Sequence, residues 1–280
     1  AEAIGIRTRG CLAGLGMGAY LTLSALGLER ILARTDACRA CKWSSLGSQV
    51  SSQTAQANRF LSAWGRAEAV ACVDEISTPV ERPLWDAHNP PLSRRDLFRM
   101  ISKQGQVAMA RAMEDGVKAS ERQPGRDRMR LLAAVSHLPK PSDSICLEDF
   151  DFALVAVSEA CTACGACARA CPTEALRFEK NETEMQFSIV FSAKACIGCD
   201  VCDHVCLPDA ITIDHAPYFD MAFGVTEPTV VASGKLARCE RCKTIMAARE
   251  GVKLCPLCEY RRTNPFGSML PKKIIKETRS

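Results

Sequence analysis

At 280 residues the chain is long enough for about two domains. Charged residues make up 24% and hydrophobic residues 47%, as in an ordinary folded protein, and a formal charge of +4 is too small to indicate a nucleic-acid binder by itself. The 17 cysteines are the unusual feature. Their odd number and their clustering at two-residue gaps argue against a pure disulfide framework.

Residues 1–80 are predicted to form a small α/β domain. Strands are expected at "GIRTRG", "ERILART" and "EAVACVDE", and helices at "GMGAYLTLSALG", ending at Gly27, and "SSLGSQVSSQTAQANRFLSAWG", ending at Gly65. Strands that alternate with helices indicate a parallel sheet. Three cysteines follow the first two strands: Cys11, Cys38 and Cys41. They therefore fall at the carboxyl ends of the strands, where open α/β sheets bind ligands.

The N-terminus predicts neither an export signal nor a membrane span. Its apolar stretch is interrupted by Gly, Thr and Ser and is closed by Glu29 and Arg30, and it is shorter than the roughly 20 residues that a span needs. A twin-arginine-like "SRRDLFRM" lies at 93–100, far from the N-terminus, and predicts an amphipathic helix with Ser93 as its cap. The thiol content favours a reducing compartment, the cytoplasm.

Residues 81–145 are predicted to be a proline-rich and helical linker. "TPVERPLWDAHNPPLS" carries four prolines and is expected to be extended. A helix is expected over 94–121, from apolar residues at helical spacing. "RQPGRDRMR" is interpreted as a basic, solvent-exposed break before a short helix, "LLAAVSHLPKPSD", that ends at its prolines.

Two cysteine motifs with the same spacing follow, within a predicted domain at 146–225. "CTACGACARACPTEAL" begins at residue 161 and "CIGCDVCDHVCLPDAI" at residue 196, and both have the spacing C-x2-C-x2-C-x3-C. Three thiolates at such gaps can wrap a loop around one face of an iron–sulfur cube, and in two-cluster proteins the fourth cysteine binds the other cluster. One predicted ligand set is Cys161, Cys164, Cys167 and Cys206. The other is Cys196, Cys199, Cys202 and Cys171.

The flanking sequences complete a family pattern. "FALVAVSEA" and "AITID" are predicted strands, and "ALRFEKNETEMQFSIVFSA" is a predicted hairpin that turns at Asn181. With the two motifs, residues 150–215 resemble the bacterial dicluster ferredoxins. That resemblance implies a pseudo-twofold β/α sandwich holding two 4Fe–4S clusters, and the long connection between the motifs implies an extended hairpin. "CLP" in the second motif places its proline one residue later than the usual pattern.

A different cysteine pattern lies in the last predicted segment, 226–280, which ends in a basic tail. "CERC" and "CPLC" give C-x2-C-x12-C-x2-C, and four thiolates so spaced can meet around one tetrahedral ion. The predicted ligands are Cys239, Cys242, Cys255 and Cys258. The segment resembles a zinc ribbon, although rubredoxins hold a single iron with the same ligands. Zinc is favoured because "EYRR" stands where the rubredoxin pattern has glycine. Surrounding basic residues without stacking aromatics make a weak nucleic-acid site.

The N-terminal cysteines carry a second resemblance. Residues 1–80 resemble the small iron–sulfur (delta) subunit of viologen-reducing hydrogenases that work with heterodisulfide reductases. That resemblance implies a 2Fe–2S cluster, but the upstream cysteine pair of that family has no counterpart here. Cys11, Cys38 and Cys41 make three ligands, and Cys72 is a candidate fourth, although its position in a predicted strand also fits a core residue. The alternative is buried thiols without metal. Cys146 is predicted to be a free core thiol.

The motifs favour an α+β protein that transfers electrons. The sequence shows no dinucleotide-binding glycine fingerprint, nucleophile elbow or metalloprotease helix. The preferred function is a non-catalytic electron-transfer subunit of a larger redox complex, with hydrogenase, formate dehydrogenase or heterodisulfide-reductase-like partners. Two alternatives remain open. One is a redox-sensing or maturation factor that binds a client through the zinc ribbon. The other is an oxidoreductase with its own active centre on the N-terminal domain.

Overall fold

The computed structural model describes residues 5–8, 10–74, 84–86, 124–142, 144–224 and 227–267. Helices and strands both contribute, so the predicted α+β class is confirmed. The chain divides into two compact units. The first contains nearly all residues up to Asp143, and the second runs from Ser144 onwards.

The strands of the first unit pair in parallel. β1 (Gly5–Arg7) pairs with β4 (Leu84–Asp86), and β2 (Ile31–Arg34) pairs with β3 (Val70–Val73). All three N-terminal strands were predicted from the sequence. The fourth lies inside the predicted linker, where an extended backbone was expected. Parallel pairing requires a crossover connection, which explains the helix that separates β2 from β3.

Two of the helices in this unit follow the predicted pattern. α1 (Met17–Ala25) is followed by Gly27, which has a positive φ of 93°. α2 (Gly47–Leu61) buries residues at helical spacing: Val50, Thr54, Ala57, Phe60 and Leu61. A short 3-10 turn then ends at Gly65, whose left-handed conformation stops the helix as expected.

The basic stretch before the third helix corrects the prediction. α3 (Arg126–His137) begins inside "RQPGRDRMR", and Arg128 is buried. The helix therefore begins five residues earlier than predicted, at Arg126, and the predicted solvent exposure holds for Arg126 and Arg130 but not for Arg128. Asp127 in that turn accepts a hydrogen bond of 3.0 Å from the Gly18 amide of α1. A side chain at Gly18 would collide with the Asp127 backbone, so glycine is what lets α1 and α3 approach this closely.

The second unit begins with the predicted ferredoxin strands. β5 (Leu154–Val157) pairs antiparallel with β8 (Ile211–Asp214). β6 (Leu176–Asn181) and β7 (Gln186–Phe191) form the predicted hairpin. The Asn181 side-chain oxygen accepts hydrogen bonds from the amides of Thr183 and Glu184, at 3.0 and 3.1 Å, which sets the turn.

The hairpin sheet is extended by strands from beyond residue 225. β9 (Thr229–Arg238) pairs antiparallel with β7, and β10 (Ile245–Ala247) pairs with β9, giving the order β10-β9-β7-β6. The segment that carries the last four cysteines therefore continues the sheet of the ferredoxin part. Helix α7 (Pro256–Thr263) begins at the second knuckle, with Pro256 at the first helical position.

Three short helices complete the second unit. α4 (Ala166–Ala170) and α5 (Val201–His204) each begin within one of the repeated motifs. α6 (Phe219–Phe223) packs two phenylalanine rings against each other, with centroids 4.6 Å apart. Beneath the motifs lies an apolar core, to which each large buried side chain contributes about 1.5–3 kcal/mol. Its largest members are Leu176, Phe187, Ile189, Phe191, Ile211 and Leu236.

Some predictions fall on other parts of the chain. The helix expected over 94–121, with its Ser93 cap, and the basic tail at 271–280 lie outside the described residues. Within the described residues, no helix has the length and apolar character needed to cross a bilayer.

Candidate metal centres

The two repeated motifs have the same backbone conformation. Ala163 and Gly198 occupy equivalent positions, with φ of 55° and 61°, and Gly165 and Asp200 are equivalent, with φ of 67° and 59°. Left-handed residues in short loops help to turn successive amide groups towards one side, an arrangement that binds anionic groups. Both loops are thus shaped to surround a negatively charged centre.

Close packing holds the first loop in place. At Gly165 an added Cβ would lie 3.0 Å from the ring of Phe178, in a backbone conformation that L side chains rarely adopt. The Ala163 amide also lies 3.5 Å from Cys161 Sγ. Amide hydrogens directed at a ligand sulfur favour its thiolate form.

A cavity lies under the first loop, with about 330 Å³ of empty space that is partly open to solvent. Four cysteines line it: Cys161, Cys164, Cys167 and Cys206. Its other walls are mainly apolar and include Val157, Ile189 and Ile211. The structure therefore brings three cysteines of the first motif together with the last cysteine of the second.

A second cavity, with about 370 Å³ of empty space that is also partly open to solvent, is the counterpart under the other loop. Its cysteines are Cys171, Cys196, Cys199 and Cys202. Val155, Leu176 and Phe191 contribute apolar wall. The exchange of the fourth cysteine is thus reciprocal, and each motif contributes to both cavities.

The donor chemistry of both cavities fits a 4Fe–4S cluster. Each offers four sulfur ligands and a dry wall. Among the described residues, the four sulfurs that line either cavity do not all lie within 4.8 Å of one another. The four cysteines near the C-terminus, described below, do meet this distance. A cube binds each cysteine at a different iron, so its ligands stand further apart than those of a single ion.

Burial makes thiolates costly in these cavities when no cation is present. It raises the pKa of Cys167 to about 11 and that of Cys202 to about 12. Burial also raises the pKa values of Cys161 and Cys206. These groups are therefore thiols at neutral pH without metal, and binding of a metal cluster must release their protons.

The two cavities are neighbours. After burial, the charges that raise the pKa of Cys202 are those of Cys196 from its own cavity and then Cys167 and Cys171. Cys167 belongs to the first cavity, so sulfurs of the two cavities lie close enough for their charges to interact.

A third group of four cysteines is compact. The sulfurs of Cys239, Cys242, Cys255 and Cys258 all lie within 4.8 Å of one another, and three of these residues are buried. Cys242 Sγ and Cys255 Sγ are 3.7 Å apart. The edge of a tetrahedron with Zn–S bonds of about 2.3 Å is about 3.8 Å long. This four-cysteine site therefore fits a single tetrahedral ion, as the spacing predicted.

Backbone amides supply charge stabilisation at the four-cysteine site. The amide of Cys255 lies 3.3 Å from Cys239 Sγ. Hydrogen bonds from the amides of Cys242 and Cys255 lower the pKa of Cys239 to about 6, so it is a thiolate at neutral pH. Burial instead raises the pKa of Cys258 to about 12. Cys239 is thus already a thiolate that can bind a cation, whereas Cys258 must release its proton to solvent when a cation binds.

The three cysteines at the strand ends of the first unit lie near one another. Cys11 follows β1, Cys38 lies in a 3-10 turn after β2, and Cys41 ends that turn. Burial and then the charges of Cys11 and Cys41 raise the pKa of Cys38. Both of these neighbouring thiols are exposed. The two strands that precede these cysteines belong to separate two-stranded sheets, so the single sheet edge expected from the sequence is not formed, although the thiols are close enough to influence one another electrostatically.

The remaining two cysteines lie elsewhere. Cys72 Sγ is 3.3 Å from the Thr54 hydroxyl of α2, which agrees with its interpretation as a core residue of the strand. Cys146 Sγ lies 3.6 Å from the carbonyl oxygen of Ala216. The Cys146 backbone forms an isolated antiparallel β-bridge with Tyr218. Neither lines a metal cavity described above.

One contact at the first cavity was missed by sequence reasoning. Arg249, which follows β10, donates to the carbonyl oxygens of Glu159 and Cys161 at 2.6 and 2.8 Å. No local pattern marks this arginine among the other basic residues. Only the pairing of β9 with β7 brings it to the loop.

Comparison with known proteins identifies the repeated motifs. The family model of the 4Fe-4S dicluster domain matches residues 160–210, which contain both motifs. The predicted dicluster domain is therefore confirmed, and the compact cysteine group near the C-terminus fits the predicted zinc-ribbon-like segment. No curated protein matches the chain. The resemblance of residues 1–80 to a hydrogenase delta subunit stays a prediction.

Proposed function

We propose that this protein is the electron-transfer subunit of a larger redox complex, in which two 4Fe–4S clusters relay electrons between cofactors of its partners. The observation that carries the proposal is the reciprocal sharing of cysteines between two adjacent cavities. Because each motif supplies ligands to both cavities, the two centres are held at a fixed short separation. The dicluster domain supports an iron–sulfur electron-transfer role.

The polypeptide contributes positioning, solvent exclusion and electrostatics. When bound, the clusters supply one-electron carriers. Apolar walls such as Val157 and Ile189 in one cavity, and Val155 and Phe191 in the other, limit water access. Left-handed residues recur at equivalent positions of both loops, a conformation found where backbone amides bind anionic groups. Exposure and hydrogen bonding are what set reduction potentials in such sites.

The four-cysteine site is proposed to hold zinc as a structural centre. All four tetrahedral positions are taken by cysteine, which leaves no open position for a substrate. A single iron would satisfy the same ligands, so the metal has to be identified by analysis. In either case the ion joins the knuckle before β10 to the start of α7.

A partner-bound role in the cytoplasm is the most economical account of the rest of the chain. A diffusible dicluster ferredoxin needs little beyond residues 144–224, whereas this chain adds an α/β unit and a C-terminal segment. The proposed partners are hydrogenase, formate dehydrogenase or heterodisulfide-reductase-like subunits. Thiol ligands persist best in a reducing compartment.

The N-terminal thiols favour a second candidate, a further redox centre on the first unit. Cys11, Cys38 and Cys41 supply one ligand fewer than the four of a common iron–sulfur cluster. Cys72 faces Thr54 of α2, so a fourth ligand would come from another group. Such a centre would appear as iron in excess of the two 4Fe–4S clusters.

Anaerobic purification of the full chain tests the proposal. Iron, sulfide and zinc are quantified, and the low-temperature EPR spectrum of the reduced protein is recorded. We expect about eight irons per chain and the spectrum of two interacting clusters. A count well below eight would refute the relay. Co-purification with a flavin, molybdenum or nickel subunit would support it, and substrate turnover by the isolated chain would favour an oxidoreductase instead.

A further inference from the structure

The short strand β10 lies between the core beneath the motif loops and the four-cysteine site. Side chains alternate between the faces of a strand. Ile245 and Ala247 pack against the core beneath the motif loops, whereas Met246 is buried among the sulfurs of the four-cysteine site. A displacement of β10 therefore affects both the core beneath the motif loops and the four-cysteine site.

Backbone bonding ties β10 to the loop of the first cavity. The amide of Ala247 donates to the carbonyl oxygen of Thr162 at 3.0 Å. The next amide, that of Ala248, donates to Lys235 of β9 at 2.8 Å, which fixes the end of the strand. Thr162 lies between two of the cysteines that line the first cavity. The position of β10 thus restrains this loop directly.

The charged side chain of Arg249 binds the same loop through two hydrogen bonds, which together we call the Arg249 clamp. One of its terminal nitrogens donates to the carbonyls of Glu159 and Cys161, at 2.6 and 2.8 Å. The guanidinium stays charged at any ordinary pH. These two bonds therefore hold a positive charge against the backbone of a cysteine that lines the first cavity.

We propose that Arg249 is a positioning residue which, through β10, couples metal occupancy of the four-cysteine site to the stability and reduction potential of the cluster in the first cavity. The inference deepens the proposed function and rests on it. A nearby positive charge favours the more negative, reduced state of a cluster. An ordered four-cysteine site keeps β10, and hence the clamp, in place.

The first arm of the test measures charge. In the full chain with both clusters loaded anaerobically, Arg249→Gln is compared with wild type and with Arg262→Gln. Arg262 pairs with Glu259 on the exposed side of α7, 2.5 Å away, so its replacement removes an equal charge away from the loop. EPR-monitored redox titration gives each midpoint, and Cys164→Ser and Cys199→Ser variants assign the two signals.

We expect Arg249→Gln to lower the reduction equilibrium constant of the first-cavity cluster about threefold, or about 30 mV for one electron. The second-cavity cluster and the Arg262→Gln control should keep their wild-type midpoints. Arg249→Lys keeps the charge but not the planar fork, so it should retain the midpoint and yet release iron faster. Unchanged midpoints in Arg249→Gln, or equal shifts in both clusters, would overturn the inference.

The second arm measures coupling to the four-cysteine site. Cys242→Ser replaces the exposed ligand of that site, and analysis of the bound metal checks that occupancy falls. Transfer of iron to a chromogenic chelator should then accelerate at least threefold for the first-cavity cluster alone. If the Cys242→Ser chain has less metal in its four-cysteine site and still releases iron at the wild-type rate, the coupling is refuted. A chain that never binds about eight irons would instead refute the proposed function, so the two failures are distinguishable.

Discussion

At the residue scale, the function depends on which sulfurs share a cavity. The last cysteine of each motif lines the cavity of the other motif. Backbone amides near these cysteines also contribute hydrogen bonds to the sulfurs, since the Ala210 amide lies 3.2 Å from Cys206 Sγ. Individual thiols therefore have separable roles, and single substitutions can test them.

Cys206→Ser should remove the first-cavity cluster, although Cys206 belongs to the second motif. The iron content should fall from about eight to about four per chain, and the remaining EPR signal should match that of Cys164→Ser. Cys146→Ser, a thiol outside both cavities in the same unit, is the control and should keep all its iron. If Cys206→Ser instead loses the EPR signal that Cys164→Ser retains, the two motifs do not exchange their fourth cysteines.

Acid should release the ion from the four-cysteine site. The pKa of Cys239 is lowered to about 6, below its value in the unfolded chain, so its contribution to stability is present above the unfolded value and is lost as the pH falls through about 6. Protons then compete with the cation for every thiolate. Dialysis at a series of pH values followed by metal analysis should show occupancy falling as the pH is lowered.

Thr244→Val should move this release to higher pH. The Thr244 hydroxyl lies 3.3 Å from Cys242 Sγ and is the main cause that lowers the pKa of Cys242. Without it, protons compete more strongly for that sulfur. Thr263→Val, near the end of α7, serves as the control and should release metal at the wild-type pH. A Thr244→Val curve that coincides with wild type would contradict the role given to the hydroxyl.

At the scale of elements, close approaches decide the packing. Helices α1 and α3 meet where Gly18 leaves room for the backbone of Asp127 and lies near the amide of Leu131. In the second unit, β9 carries the last cysteine pattern onto the edge of β7. Both contacts join segments that are far apart in sequence.

Gly18→Ala should destabilise the first unit by about 1–3 kcal/mol, because overpacking a tight contact forces the backbone to shift. An added Cβ would lie 2.9 Å from the Leu131 nitrogen and would collide with the Asp127 carbonyl. Chemical denaturation followed by circular dichroism measures the loss. Gly47→Ala, at the start of α2 with no atom within 4 Å of the new methyl, should be neutral or stabilising. Equal stability of both variants would contradict the packing argument.

At the scale of the whole molecule, the chain combines two adjacent cysteine-lined cavities of a dicluster domain with a cysteine-bearing α/β unit and a compact four-cysteine site that could hold a metal. Sulfurs of the two cavities influence each other electrostatically, so the centres should not titrate independently. None of the 17 cysteines, all within the described part of the chain, is joined in a disulfide.

Coulometric titration of the loaded chain should therefore show two one-electron steps. The second electron should enter at a lower potential, because it is added beside a centre that already carries an extra negative charge. High salt should narrow the gap only slightly, since buried charges are poorly screened. A single step with identical midpoints at low and high salt would indicate that the centres do not interact.

Local spacing determined much of this protein. The C-x2-C-x2-C-x3-C repeats and the final pair of C-x2-C knuckles predicted their metal chemistry, because a ligand loop of a few residues has few ways to surround a cluster or an ion. Strands and helices of the first 80 residues also followed from periodicity. Contacts between distant segments were decided only by the tertiary structure. They include the side of β3 on which Cys72 lies, the burial of Arg128, and the clamp of Arg249 on Cys161. Each depends on which faces and edges meet, and residues far apart in sequence carry no local signal of that pairing.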